Sequence, residues 1–148
     1  MKFTASVLAL TGMLAFGAFS ARGTVRALQS KSQWDGVYTE EQAKRGEALY
    51  SQYCASCHGP DLAGGEMAPG LTGGEFASNW NDLSLGELFE RIRISMPQNA
   101  PGSLSRQQNA DILAFVLSKG NFPAGTTELP GATDVLNTIK FVAQKPAQ

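Results

Sequence analysis

Cys54-Ala55-Ser56-Cys57-His58 decides how this chain is read. Two thiols separated by two residues, followed at once by an imidazole, form the C-x-x-C-H pattern that attaches a c-type haem. The spacing has a chemical reason. On a short turn leaving a helix, the two sulfurs reach the two vinyl groups on one edge of a porphyrin and form thioethers, and the next residue lies under the iron. His58 would supply the proximal ligand, and an iron with a protein ligand on each face mostly moves electrons. Other chemistries also use a C-x-x-C pair: a redox-active dithiol, a plain disulfide, or half of a zinc site. Structural zinc takes four protein ligands. The chain has only these two cysteines and this one histidine, so zinc would have to borrow carboxylates. A thioredoxin-like dithiol belongs beside a βαβ pattern, which the sequence does not show.

Working outward, 148 residues with 43% hydrophobic and 17% charged side chains and a net charge of −1 describe one ordinary soluble domain and no nucleic-acid binder. The start reads as an export signal over residues 1–23: Met1-Lys2 is a short positive start, an apolar run follows from Val7 to Phe19, and small residues come next at Ala18, Ser20, Ala21 and Gly23. Cleavage fits after Ser20, Gly23 or Ala27. A retained membrane anchor is the alternative, but Thr11, Gly12 and Gly17 interrupt the run, which is short for a full span. No cysteine near the signal could carry a lipid. Export agrees with covalent haem, which is generally added outside the cytoplasm, so the expected location is the periplasm, with no stable membrane insertion after cleavage. Both cysteines would be consumed as thioethers.

Residues 24–38 read as an arm, with Trp34 and Val37-Tyr38 packing onto the domain. A domain over 39–120 follows. Thr39 with Gln42 is a capping box that opens a first helix, with Glu40-Glu41 at the positive end of its dipole. Ala43, Gly46, Leu49, Tyr50 and Tyr53 recur at helical spacing and run into Cys54. The stretch from Gly59 to Gly74 is dense in glycine, which predicts an irregular backbone close against something flat or bulky, a haem edge being one candidate. Ser84 with Glu87 opens a second helix, with Leu85, Leu88, Phe89, Ile92 and Ile94 as its apolar face. Pro97 stops it near Ser95 and leaves Met96 in extended chain. Ser105 with Gln108 opens a third, with Ala110, Ile112, Leu113, Phe115, Val116 and Leu117 apolar and Gly120 placed to cap it. Residues 121–148 form an extension that wraps the domain, in which Thr133 or Asp134 caps a short piece ending in Leu136, Ile139 and Phe141. The fold class is all-α, three to four helices around one covalently bound haem.

Elimination addresses the second axial ligand. With His58 the only histidine, bis-histidine ligation within one chain cannot occur. Methionine is the remaining strong candidate, and its thioether raises the potential. Met1 and Met13 belong to the signal. Met67 lies in the loop directly after the attachment site, still rounding the proximal side. Met96 follows an intervening helix and precedes Pro97, which stiffens an extended loop across the opposite face. Met96 is the favoured ligand, with Met67, a lysine, water or an open site as alternatives.

From Thr39 to Gly120 the chain resembles the class I, or mitochondrial-type, cytochrome c family. The resemblance lies in the order of its motifs: Gly46 and Tyr50 on a helix entering Cys54-Ala55-Ser56-Cys57-His58-Gly59, then Pro69-Gly70-Leu71-Thr72-Gly73, then Met96-Pro97, then a last helix with Phe115. It implies a small cytochrome c fold in which the first and last helices cross, Gly46 and Tyr50 meeting Phe115. It implies that the Pro69 carbonyl orients His58, that Leu71 lies against the porphyrin, and that Trp80 either hydrogen-bonds a propionate or simply packs. Residues 121–130 also resemble c-type domains associated with periplasmic quinoprotein dehydrogenases, which suggests a partner.

The reading is therefore an electron carrier rather than an enzyme. It would use one haem c ligated by His58 and Met96, and would exchange electrons with redox proteins: a dehydrogenase as donor, and an oxidase or another cytochrome as acceptor. A haem module of a dehydrogenase complex and a gas- or peroxide-binding haem protein are the alternatives. Glu40, Glu41, Asp61, Glu66, Glu87 and Glu90 fall on polar faces, and a solvated surface explains them better than an acid/base pair.

Overall fold

The computed structural model describes residues 31–147, so the expected export signal and the start of the arm lie outside the described residues. Six helices follow in order: α1 Glu40–Tyr53, α2 Ala55–His58, α3 Gly73–Trp80, α4 Leu85–Ser95, α5 Arg106–Lys119 and α6 Thr133–Leu136. Among the described residues there is no strand, only isolated bridges from Lys140 to Ser32 and to Ser84. The class is all-α.

α5 is the centre. All nine residues from Asn109 to Leu117 are buried, seven of them apolar, and a helix buried on every side is one surrounded by neighbours. α1 crosses it where Gly46 faces Asp111 and Phe115. A β-carbon on Gly46 would stand 1.9 Å from the Asp111 carbonyl oxygen and 2.9 Å from Phe115 Cβ. One helical turn on, the rings of Tyr50 and Phe115 lie 5.2 Å apart between centroids, tilted by 49°. α4 covers another side of the core with Leu85, Leu88 and Phe89, but Ile94 is 59% exposed and does not belong to its apolar face. At about 100° per residue, Ile94 stands on the opposite side of α4 from Phe89 and Ile92.

The three expected caps differ in completeness. Ser84 with Glu87 and Ser105 with Gln108 form reciprocal capping boxes. Thr39 accepts from the Gln42 backbone N–H, but the Gln42 side chain does not return. It is fully buried, donates to the Leu129 carbonyl at 2.9 Å and accepts from the Leu129 N–H at 2.8 Å. α5 ends differently from the expectation too. Gly120 is right-handed at φ −76°, and Asn121 takes the left-handed position at φ 61°. Asn121 N–H then bonds Ser118 O, and Phe122 N–H bonds Leu117 O, which is the Schellman arrangement. Gly120 is needed for space, because a β-carbon there would lie 2.8 Å from the Phe122 ring.

Residues 31–38 and 121–143 are stitched to the domain and to each other. Gln33 exchanges two hydrogen bonds with the Val142 backbone, at 2.7 and 2.9 Å. Trp34 Nε1 donates to the same Val142 carbonyl at 2.8 Å. The Tyr38 hydroxyl donates to Phe122 O at 2.6 Å, and burial raises its pKa above the ordinary value. Trp34, Phe122, Phe141, Phe76 and Trp80 pack as successive rings with centroids 4.6 to 6.3 Å apart. Arg45 ties α1 to Asp111 of α5 at 3.0 Å and to Glu128 at 2.8 Å.

Candidate functional site

α1 hands the chain to the motif. Cys54 is its C-terminal cap, and Cys54 N–H still bonds Tyr50 O at 2.8 Å. Ala55–His58 then make a single further turn, α2, which puts Cys54 half-buried, Cys57 exposed and His58 buried. The cysteines are unpaired with each other. Burial, with the neighbouring Cys57 as the lesser cause, pushes the Cys54 thiol up to about 11, so it is neutral S–H at physiological pH.

The imidazole is oriented by the loop that follows. His58 Nδ1 lies 2.8 Å from the Pro69 carbonyl oxygen. A carbonyl can only accept, so Nδ1 carries the proton and donates. In the neutral ring this leaves the lone pair on Nε2, which is the tautomer a metal ion takes up. The loop reaches this geometry by folding on itself. Gly64 N–H bonds His58 O at 2.9 Å, and Leu71 N–H bonds Leu62 O at 2.8 Å. Gly64 has φ +76°, and a β-carbon on it would stand 2.4 Å from Gly70 N and 2.5 Å from the Pro69 carbonyl carbon. At Gly64 and Gly70 the close approach is to the loop's own backbone. Gly73 and Gly74, read as loop, instead open α3, with nothing within 4 Å of a β-carbon at either.

Tyr50 is a site residue whose anchoring role was not read from the sequence. Its ring packs on Phe115, while its hydroxyl donates to Gly59 O at 2.6 Å, fixing the residue directly after the imidazole. Desolvation, with lesser contributions from Cys54 and Asp61, raises its pKa to about 12.

The remaining candidates separate clearly. Leu71 is half-buried against the core beside this loop. Trp80 is half-buried and packs on Phe76, 6.3 Å between centroids. Met67 stands at the tip of the glycine loop and is 78% exposed. Met96 follows α4 directly, extended at φ −122° and ψ 152°, half-buried, with the next residue Pro97 buried. A cavity of about 520 Å³ lies elsewhere, between Trp34, Leu71, the start of α3 and Phe122, and neither cysteine nor His58 lines it.

These residues fit a c-type haem. Two free thiols sit one turn apart, and an imidazole beside them is held in the metal-binding tautomer. Among the described residues no group of three or more His, Cys, Asp or Glu is arranged to hold a metal ion by itself.

A family model described as cytochrome c oxidase, cbb3-type, subunit III matches residues 41–116. Cytochrome c-551 of Bacillus subtilis (strain 168) is 32% identical over 98 residues, covering 66% of this chain and 83% of that protein. Among solved structures, the sulfane dehydrogenase SoxCD from Paracoccus pantotrophus is similar at 18% identity and a TM-score of 0.48, over 87% of this chain and 68% of that one. The chain belongs to the c-type cytochrome family, and its cofactor is haem c, for which Cys54 and Cys57 are the attachment pair.

Proposed function

We propose that this cytochrome domain works as an exported, single-haem electron carrier, with His58 as the proximal and Met96 as the distal ligand. The observation that carries the reading is the 2.8 Å contact between His58 Nδ1 and the Pro69 carbonyl, which leaves Nε2 available to a metal. Haem c supplies one-electron chemistry when bound, its iron passing between ferrous and ferric states. The chain's own residues do the rest. Cys54 and Cys57 would hold one edge of the macrocycle through thioether bonds. Pro69 keeps the imidazole electron-rich. Leu71 would provide an apolar wall, and Trp80, packed on Phe76, would either donate its indole N–H to a propionate or serve as packing alone.

Met96 is favoured over Met67 by placement. Met67 projects into solvent on the loop that orients His58, whereas Met96 leaves α4 in extended chain and is half-buried. Occupation of both axial positions by side chains excludes exogenous ligands, as suits a carrier rather than an enzyme. Small transient contacts with a dehydrogenase donor and an oxidase or cytochrome acceptor would then suffice. Export to the periplasm rests on the signal-like start of the sequence. Among the described residues no helix is long and apolar enough to cross a membrane.

The test is carbon monoxide binding to the reduced protein beside Met96→Ala. Wild type should resist carbon monoxide while the variant binds it. Rapid, tight binding by wild type would remove Met96 from the iron and favour a gas-binding role. A module of a dehydrogenase complex would instead co-purify with its enzyme at constant stoichiometry.

A further inference from the structure

The segment that carries Met96 joins α4 to α5, and both of its ends converge on one carboxylate. Glu90, six residues before Met96, accepts from Arg93 Nε at 2.9 Å and from the Thr133 hydroxyl. Arg106, the first residue of α5, brings Nη1 to 3.6 Å from Glu90. The same nitrogen donates to Gly131 O and to Thr133 Oγ1, each at 3.1 Å, and the guanidinium lies 5.8 Å from the centre of the Phe89 ring. The sequence suggested that Thr133 or Asp134 caps a short helix. In the structure Ala132 holds the capping position, without a side-chain bond, and the Thr133 hydroxyl is spent on this cluster.

An isolated exposed ion pair contributes little to stability, so the convergence of three elements on one carboxylate points to geometry. Between the two anchors the backbone hydrogen bonds are those of short turns, Ala100 N–H to Pro97 O at 2.9 Å and Ser103 N–H to Ala100 O at 3.2 Å, while Pro97 and Leu104 are buried. Its far end is fixed by Asn109 Nδ2, which donates to Leu104 O and Ser105 O. Its near end is fixed by Met96 N–H on Ile92 O at 2.9 Å. Where Met96 sits therefore depends on α4 keeping its place against the start of α5 and α6, and Glu90 is the group that touches both.

We propose that Glu90, with Arg106 and Thr133, is a positioning node that keeps the Met96 segment closed and so keeps the thioether on the iron. The inference rests on the reading of Met96 as distal ligand. None of the three residues touches the haem in this role. They act through the ends of the segment.

The test is the rate at which imidazole binds the ferric, haem-loaded protein, since imidazole enters only when the thioether has left. Glu90→Gln and Arg106→Gln should each raise the rate about fivefold, as expected for losing a partly screened charge-assisted contact, and Thr133→Ser should leave it at the wild-type value. Salt should speed the wild type towards the Glu90→Gln rate. Arg45→Gln breaks ion pairs at the α1–α5 crossing instead, so it should lower the thermal midpoint without changing the imidazole rate. If Glu90→Gln and Arg106→Gln bind imidazole at the wild-type rate while Met96→Ala binds faster, the positioning role is wrong and the ligand assignment stands. If Met96→Ala and wild type bind equally fast, Met96 does not close the iron and both fall.

Discussion

Replacing Gly46 by alanine sets two effects of known size against each other. Away from any contact, alanine in a helix interior is more stable than glycine by about 1 kcal/mol. At Gly46 the added carbon would stand 1.9 Å from the Asp111 carbonyl oxygen, 2.5 Å from its carbon and 2.9 Å from Phe115 Cβ. Two of those three atoms are backbone of the most buried helix, so a side-chain rotation cannot relieve the clash and α1 must move off α5. Overpacking of this kind costs about 1–3 kcal/mol, and a clash with backbone belongs at or above the top of that range. The net expectation is a loss of about 2 kcal/mol for Gly46→Ala and about 4 kcal/mol for Gly46→Val. At about 4 °C per kcal/mol for a domain of this size, the thermal midpoints of the haem-loaded variants should fall by about 8 and 16 °C. The assay is thermal unfolding followed by helical circular dichroism. Gly74→Ala is the internal control, because Gly74 lies in the first turn of α3 with nothing within 4 Å of its β-carbon. That change should stabilise by about 0.5–1 kcal/mol. If Gly46→Ala matched the control in sign, propensity alone would govern the position and the close crossing would be refuted.

Gly64→Ala should push Pro69 and Gly70 away and weaken the hydrogen bond on His58. A less electron-rich imidazole stabilises the ferric state less, so the reduction potential should rise, and an unchanged redox titration would sink the argument. Gln42→Leu leaves the buried N–H and C=O of Leu129 without partners, at a cost of about 2–4 kcal/mol, readable as a lowered denaturant midpoint. Arg93, with Thr133 next, holds the Glu90 carboxyl at about 2 against an ordinary 4.5. Because the folded-state value is depressed, its contribution is fully present above pH 4.5 and is lost as pH falls towards 2. The stability gap between wild type and Glu90→Gln, at most about 1 kcal/mol for so exposed a group, should therefore close over that window. A gap independent of pH would show that the ion pairs contribute nothing. Burial raises the Tyr50 hydroxyl from 10.0 to about 12. Its contribution is present below pH 10 and lost as pH rises towards 12, so Tyr50→Phe should flatten the alkaline loss of stability seen in wild type.

What could be read from the sequence was what local chemistry determines. The pentapeptide, the serine-opened helices and the stop before Pro97 each depend on residues within a few positions of one another, and each stands where the pattern puts it. The Gly46 crossing and the Pro69 contact with His58 came from the order of motifs in a resembling family. What escaped depends on partners distant in sequence. Gln42 looked like half of a capping box, and only the fold shows that Leu129, 87 residues on, takes its amide. Thr133 looked like a cap because its bond to Glu90 spans 43 residues. α3 was missed because Gly73-Gly74 reads as a breaker, and the eight-residue helix they open is too short to show periodicity. Gly120 seemed the obvious left-handed residue, yet the space beside Phe122 demanded the missing side chain there and passed the left-handed turn to Asn121.

The bonds that pair residues 31–34 with 140–142 carry a consequence for how such a domain is built into larger molecules. Lys140 N–H reaches Lys31 O at 2.8 Å, and Gln33 and Trp34 both meet Val142, so the polypeptide enters and leaves the folded unit at one edge, as at a socket. A unit wired through a single edge can be appended to either end of another protein, or spliced into one of its surface loops, without its two strands of connection crossing the rest of its surface. The turn with Cys54, Cys57 and His58 and the segment after α4 are held by contacts internal to the unit, so a chain joined at that edge would leave both in place.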